Sequence, residues 1–116
     1  MAGDPIKILI VDDDEEVLIT LERVLESEGY STATAWSARE ALALSEKLHF
    51  DLLLVDDHEG DQEFDAFLAG LKRHQPRAFQ LLMHTRKDQR SDSLAVGVCK
   101  WEHNEMKAKI RRCLAA

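Results

Sequence analysis

Three carboxylates, Asp12, Asp13 and Asp14, follow the apolar run Ile8-Leu9-Ile10-Val11, and a second run, Leu52-Leu53-Leu54-Val55, ends in Asp56 and Asp57. In a parallel α/β sheet the carboxyl ends of the strands open onto one edge. Two acid-tipped strands lying side by side would therefore gather three or four carboxylates in one pocket. At ~4 Å and an effective dielectric near 20, each carboxylate pair repels by about 4 kcal/mol, so protons or a divalent cation must compensate. All-oxygen ligation favours Mg²⁺. Taken alone, acids that open a helix cap it and complement its dipole, and Asp14 and Asp57 fit that plainer role as first-turn or solvent-facing residues.

The elements that must carry these acids are legible in the hydrophobic pattern. Residues 6–11 read as a buried strand. A helix follows, with Val17, Leu18, Leu21, Val24 and Leu25 at helical spacing, an acidic first turn, and Gly29 as a stop. Residues 30–35 are rich in β-branched side chains and make a second strand. Ser37 and Glu40 form a capping box that opens a helix reaching about residue 48. Residues 51–56 are apolar between acidic ends, as expected of a central strand covered on both faces. The next helix carries Phe64, Phe67, Leu68 and Leu71, with Pro76 closing the connection, and residues 79–83 and 94–99 supply strands four and five. Met106, Ile110 and Cys113 or Leu114 mark a closing helix, whereas residues 86–93 have no apolar face and read as a loop or single turn. Strands alternating with helices predict right-handed crossovers and a doubly wound, flavodoxin-like five-stranded parallel sheet of order 2-1-3-4-5, with strands one and three adjacent at the switch point where ligands bind.

Bulk properties narrow the function. A chain of 116 residues is expected to form a single domain, 1–116. Its 22 acidic against 15 basic residues give a net charge of −7, which argues against a nucleic-acid surface and for protein partners. Cys99 and Cys113 lack the CxxC spacing of a redox or metal site and are expected to be reduced thiols, Cys99 facing the core. No apolar stretch is of membrane-spanning length and the first residues lack a signal-peptide pattern, so a cytoplasmic location without membrane contact is expected. His49, His74 and His103 read as surface residues and Trp36 and Trp101 as packing residues, while His58 and His84 adjoin the acid pocket.

With these residues in order, the chain resembles the response-regulator receiver domains of two-component signalling over nearly its whole length. Asp12 and Asp13 match the acidic pair after the first strand, Asp56 the phosphoacceptor ending the third, Thr85 the hydroxyl residue after the fourth, and Lys100 the lysine after the fifth. The resemblance implies that Asp56 is the nucleophile that forms an acyl phosphate. It also implies that Asp13 and Asp12 hold Mg²⁺ together with Asp56 and the backbone carbonyl of His58. Lys100 and the Thr85 hydroxyl would contact phosphoryl oxygens. The implied partners are a histidine kinase or histidine phosphotransfer protein and a downstream protein or output domain, and the fold allows a homodimer. Receivers catalyse only their own phosphorylation and dephosphorylation.

The pattern breaks in four places. The stretch between Thr85 and Lys100 is several residues short, so the family's fourth helix is expected to be missing or reduced to a turn. Gly97 stands where the family has a switch aromatic, Arg86 where it prefers a small residue, and Trp101 where a proline commonly follows the lysine, which removes the reason for a cis peptide. These losses sustain an alternative, a receiver-like interaction module that does not switch by phosphorylation. The intact acids oppose it, since folding does not require crowded carboxylates. Asp12 and Asp14 also satisfy the Asp-x-Asp of haloacid-dehalogenase phosphohydrolases, but the chain is too short for that core.

Overall fold

The computed structural model describes residues 5–58, 60–85 and 97–115. Five strands, β1 (Lys7–Val11), β2 (Ser31–Ala35), β3 (Leu52–Asp56), β4 (Phe79–His84) and β5 (Gly97–Cys99), form one parallel sheet in the order β2-β1-β3-β4-β5. Among the described residues four helices connect and close it: α1 (Glu15–Glu26), α2 (Ala38–Lys47), α3 (Gln62–His74) and α4 (His103–Ala115). This is the flavodoxin-like arrangement expected from the sequence. The segment in which a fourth crossover helix was expected to be lost, residues 86–96, lies outside the described residues, as do Arg86 and the first half of the expected fifth strand.

Strand parity sorts the core into two layers. Ile8, Ile10, Leu52, Leu54, Leu81, Met83 and Val98 face one side and pack against Val17, Leu18, Leu21 and Leu25 of α1 and Met106 and Ile110 of α4. Leu9, Val11, Leu53 and Val55 face the other and meet Ala41 of α2 and Phe64, Phe67 and Leu71 of α3. Because β1 and β3 are buried on both faces, neither shows polar alternation, and their unbroken apolar runs are the signature of a central parallel strand. Each such Leu or Ile contributes about 1.5–3 kcal/mol by burial, enough to fix register, since a slip of one residue would send Asp12 and Asp56 to the opposite face.

Helix starts follow local chemistry. Asp14 caps α1 by accepting from the Glu16 N–H at 2.9 Å, and Asp61 caps α3 by accepting from the Glu63 N–H at 2.8 Å. Ser37 accepts from the Glu40 N–H at 3.1 Å. Glu40 reaches back to the Trp36 N–H at 2.9 Å, one residue earlier than in a regular capping box. Two sequence expectations are corrected. Trp36 and Trp101 are 65% and 56% exposed and do not pack in the core, because each stands in the loop just after a strand end. His74 is half-buried, its Nδ1 sharing a 2.7 Å hydrogen bond with Ser45 Oγ of α2, because it faces the α2–α3 contact rather than solvent.

Candidate functional site

Register brings the acids together. Ile8 pairs with Leu52 and Ile10 with Leu54, so the next step of two residues sets Asp12 beside Asp56 on the α1 and α4 side of the sheet, one strand spacing of about 4.8 Å apart. On the other flank Met83 pairs with both Asp56 and Val98, which places Lys100 two residues past Val98 at the same edge. Thr85 lies two residues past Met83, exposed, just beyond the end of β4.

The side chains complete what the backbone begins. One carboxylate oxygen from each of Asp12, Asp13 and Asp56 lies within 4.8 Å of the others. Lys100 Nζ bridges two of them, 2.6 Å from Asp12 Oδ2 and 2.8 Å from Asp56 Oδ1. Asp12 Oδ1 accepts the Asp14 N–H at 2.9 Å, and Asp56 Oδ2 faces His58 Nε2 at 3.3 Å. Lys100 and Asp12 are buried, Asp56 is partly buried and Asp13 is exposed, giving a pocket with a closed floor and an open mouth. That mouth is a cleft of about 200 Å³ whose walls include Trp36, His58 and Phe64. Asp14 and Asp61 are occupied as helix caps, and Asp51 binds the Lys7 N–H at 2.9 Å at the opposite end of β3, so none of these belongs to the cluster.

Electrostatics follow from this crowding. Burial pushes the Asp12 carboxyl above the ordinary carboxylate range, the Asp56 charge adds to the shift, and hydrogen bonds from Lys100 and the Asp14 N–H only partly oppose it. For Lys100, burial favours the neutral amine, but hydrogen bonds to Asp12 and Asp56 and their charges outweigh it and raise the pKa. The two shifts have different origins: the lysine holds its proton because two inner acids share it, whereas Asp12 ionises reluctantly because it is buried. With Asp13 added, three carboxylates against one ammonium leave two negative charges at the mouth, the charge of one divalent ion.

The donor set fits Mg²⁺. Oxygens bound at about 2.1 Å are separated by about 3.0 Å when cis and 4.2 Å when trans, so carboxylates already within 4.8 Å need only a small inward movement. The Asp12–Asp13–Asp56 cluster is a Mg²⁺ site of the kind receivers carry.

A response-regulator receiver family model matches residues 8–100 of the chain. The chain belongs to the response-regulator receiver family. This receiver is 37% identical over 93 residues to the alginate biosynthesis transcriptional regulatory protein AlgB of Pseudomonas aeruginosa, a span covering 78% of this chain and 21% of that protein. It is 35% identical over 88 residues to the alkaline phosphatase synthesis transcriptional regulatory protein PhoP of Bacillus subtilis, covering 76% of this chain and 36% of PhoP. The matched region thus spans only about a fifth to a third of these relatives. Among solved structures, a CheY-like receiver domain protein from Methanospirillum hungatei superposes with a TM-score of 0.79 at 27% identity, covering 97% of this chain and 95% of that one. The response regulator TrrA of Thermotoga maritima, solved with Mg²⁺ and BeF, gives 0.75 at 26% identity over 94% of this chain and 99% of that one. Fold, family and acid cluster together make this receiver a Mg²⁺-dependent phosphoacceptor signalling domain.

The site also carries features the sequence pattern did not expose. His58 was expected to offer its backbone carbonyl to the metal; that oxygen accepts the Asp61 N–H at 3.1 Å, which leaves its second lone pair, and the imidazole Nε2 lies 3.3 Å from Asp56 Oδ2. At Gly97 a Cβ would stand 3.4 Å from His84 Cδ2, so the ring beside this position comes from β4 rather than β5. His84 Nδ1 is buried without a hydrogen-bond partner among the described residues. The Lys100–Trp101 bond is trans, as expected without the family's proline. No described helix is long and apolar enough to cross a membrane.

Proposed function

We propose that residues 1–116 act as one receiver domain that accepts a phosphoryl group on Asp56 from a histidine kinase or histidine phosphotransfer protein. The observation that carries this reading is the division of labour around the Asp56 carboxylate: Oδ1 is held by Lys100 and Oδ2 is turned toward the acid-lined mouth. In the transfer, an Asp56 oxygen bonds to phosphorus as the donor's P–N bond breaks, and the donor imidazole leaves. Mg²⁺ when bound neutralises phosphoryl oxygens and lowers the repulsion between them and the carboxylates. Lys100 is already poised at the nucleophile and passes from carboxylate to phosphoryl oxygen as a mobile point charge. The Thr85 hydroxyl, exposed beyond β4, takes a further phosphoryl oxygen by hydrogen bond.

The output is a changed protein-interaction surface, read by a downstream protein or output domain or by a second copy of the chain. Because Gly97 removes the fifth-strand aromatic, the switch runs without the family's usual hydroxyl-to-aromatic relay. The same glycine favours the second reading, a receiver-like module insensitive to phosphorylation. Intact-mass measurement after incubation with Mg²⁺ and a small-molecule phosphodonor separates the two. Our reading expects the mass of one phosphoryl group on the wild type, none on Asp56→Asn, and none in EDTA. Unmodified wild type in Mg²⁺ would support the inert module.

A further inference from the structure

We propose that the Trp36 indole is the wall on which this receiver seats the flat ring of its phosphodonor, so that Trp36 sets a preference for donors whose leaving group is an imidazole. The proposal deepens the phosphoacceptor reading and rests on its claim that Asp56 takes the phosphoryl group.

Register places the side chain. Val11 pairs with Ala35 of β2 on one flank and with Val55 of β3 on the other. Carried one residue further, Trp36, Asp12 and Asp56 stand in a row across the ends of three adjacent strands, successive members about 4.8 Å apart along the sheet edge. The outer end of the row is pinned. The Asp12 N–H donates to the Ala35 carbonyl at 3.1 Å, and the Trp36 N–H donates to the Glu40 carboxylate at 2.9 Å. Trp36 lines the same cleft as Asp12, Asp13 and Asp56, so the indole flanks the approach to the nucleophile.

Exposure shows that the side chain is not spent on the core. Trp36 is 65% exposed, the most of any large apolar side chain among the described residues. The cleft's other carbocyclic rings, Phe64 and Phe67, are packed into the core beneath α3. A tryptophan left largely in water contributes little to folding and keeps an aromatic face available to a ligand.

Leaving-group chemistry supplies the ligand. In the transfer an Asp56 oxygen bonds to phosphorus and the P–N bond breaks, its electron pair staying on the donor nitrogen. The ring leaves neutral because its second nitrogen carries a proton. Until then the protonated ring is a flat cation, and an indole face attracts it both by charge and by stacking. The acids of the cleft act on charge alone and treat a ring and an ammonium group alike. Trp36 distinguishes their shapes.

The test follows phosphorylation by intact mass in Mg²⁺ with two small donors: monophosphoimidazole, which releases imidazole, and phosphoramidate, which releases ammonia. Wild type is compared with Trp36→Ala, with Trp36→Leu, which keeps bulk without a ring, and with Trp36→Phe, which keeps a ring. The second-order rate with monophosphoimidazole should fall about three- to tenfold in the alanine and leucine variants and less than about twofold in the phenylalanine variant. With phosphoramidate all four proteins should agree within about twofold, since ammonia offers no ring to stack. Equal losses with both donors, no loss with either, or full rescue by leucine would each overturn the indole's role and leave the phosphoacceptor reading intact. A wild type that takes a phosphoryl group from neither donor refutes that reading and the proposal together.

Discussion

Lys100→Met removes a cation that bridges two inward-facing acids, and its consequences follow from the geometry. The Lys100 side chain is 6% exposed and lies within 2.8 Å of both partners, of which Asp12 is wholly buried and Asp56 15% exposed. Deleting one member of a buried pair costs about 3–5 kcal/mol, because the remaining charge has neither water nor a counter-ion. Against a total stability of about 5–15 kcal/mol this is a large fraction. At roughly 4 °C per kcal/mol for a domain of this size, the midpoint should fall by about 12–20 °C in EDTA. Mg²⁺ supplies the missing positive charge, and a hundredfold excess over its Kd adds about 2.7 kcal/mol. The ion should bind the variant more tightly than wild type, since Lys100 no longer competes for the same carboxylates. Calorimetric melting of both proteins in EDTA and in Mg²⁺ should therefore show a gap that narrows when the metal is present. Adding Asp12→Asn to the variant should recover about 2 kcal/mol or more, the coupling of neighbouring charges in a double-mutant cycle. A gap of the same size in both buffers, or a loss below about 1 kcal/mol, would refute the claim that Lys100 balances the acid pocket.

Asp13→Asn should stabilise the metal-free protein by about 1 kcal/mol, the screened repulsion of an exposed carboxylate within 4.8 Å of its neighbours, and should abolish the Mg²⁺-induced rise in melting temperature. Because burial raises the Asp12 pKa in the folded chain above its unfolded value, its stabilising contribution is complete at pH below the ordinary carboxylate range. That contribution is lost as pH climbs through the raised value, so urea denaturation in EDTA should show a falling component there that Asp12→Asn removes. Gln75 is buried with its amide bound to Ser45 O at 2.7 Å, Leu48 O at 2.6 Å and the Phe50 N–H at 3.1 Å, so Gln75→Ala should cost about 3 kcal/mol by urea melt while leaving Mg²⁺ affinity unchanged. Trp36 lines the acid cleft, and Mg²⁺ should alter tryptophan emission in wild type but much less in Trp36→Phe; an unchanged response in the variant would assign the signal to Trp101 instead.

The candidate site residues were legible because they obey simple spacing. Asp12 and Asp56 each lie two residues beyond a buried residue of the same parity, Ile10 and Leu54, and parallel register does the rest. Lys100 stands in the same relation to Val98. Helix starts were equally plain, Ser37 above all, because the capping side chain and its target are neighbours in sequence. What escaped depends on contacts between residues far apart in the chain. No local pattern announces that Gln75 will close the α2–β3 turn 27 residues away, or that His74 will reach Ser45. The tryptophans misled for a related reason: their size favours burial on average, but a residue just past a strand end projects from the sheet edge. His58 was marked by its nearness to Asp56, yet its edge-on contact with Phe64, six residues on, was not.

The most direct test locates the phosphoryl group itself. After Mg²⁺ and phosphodonor treatment, borohydride reduction converts an aspartyl phosphate to homoserine, which peptide mass spectrometry assigns to a position. We predict homoserine at Asp56 alone and only when Mg²⁺ is present. Homoserine at Asp12 or Asp13, or the same yield at Asp56 in EDTA, would contradict the account.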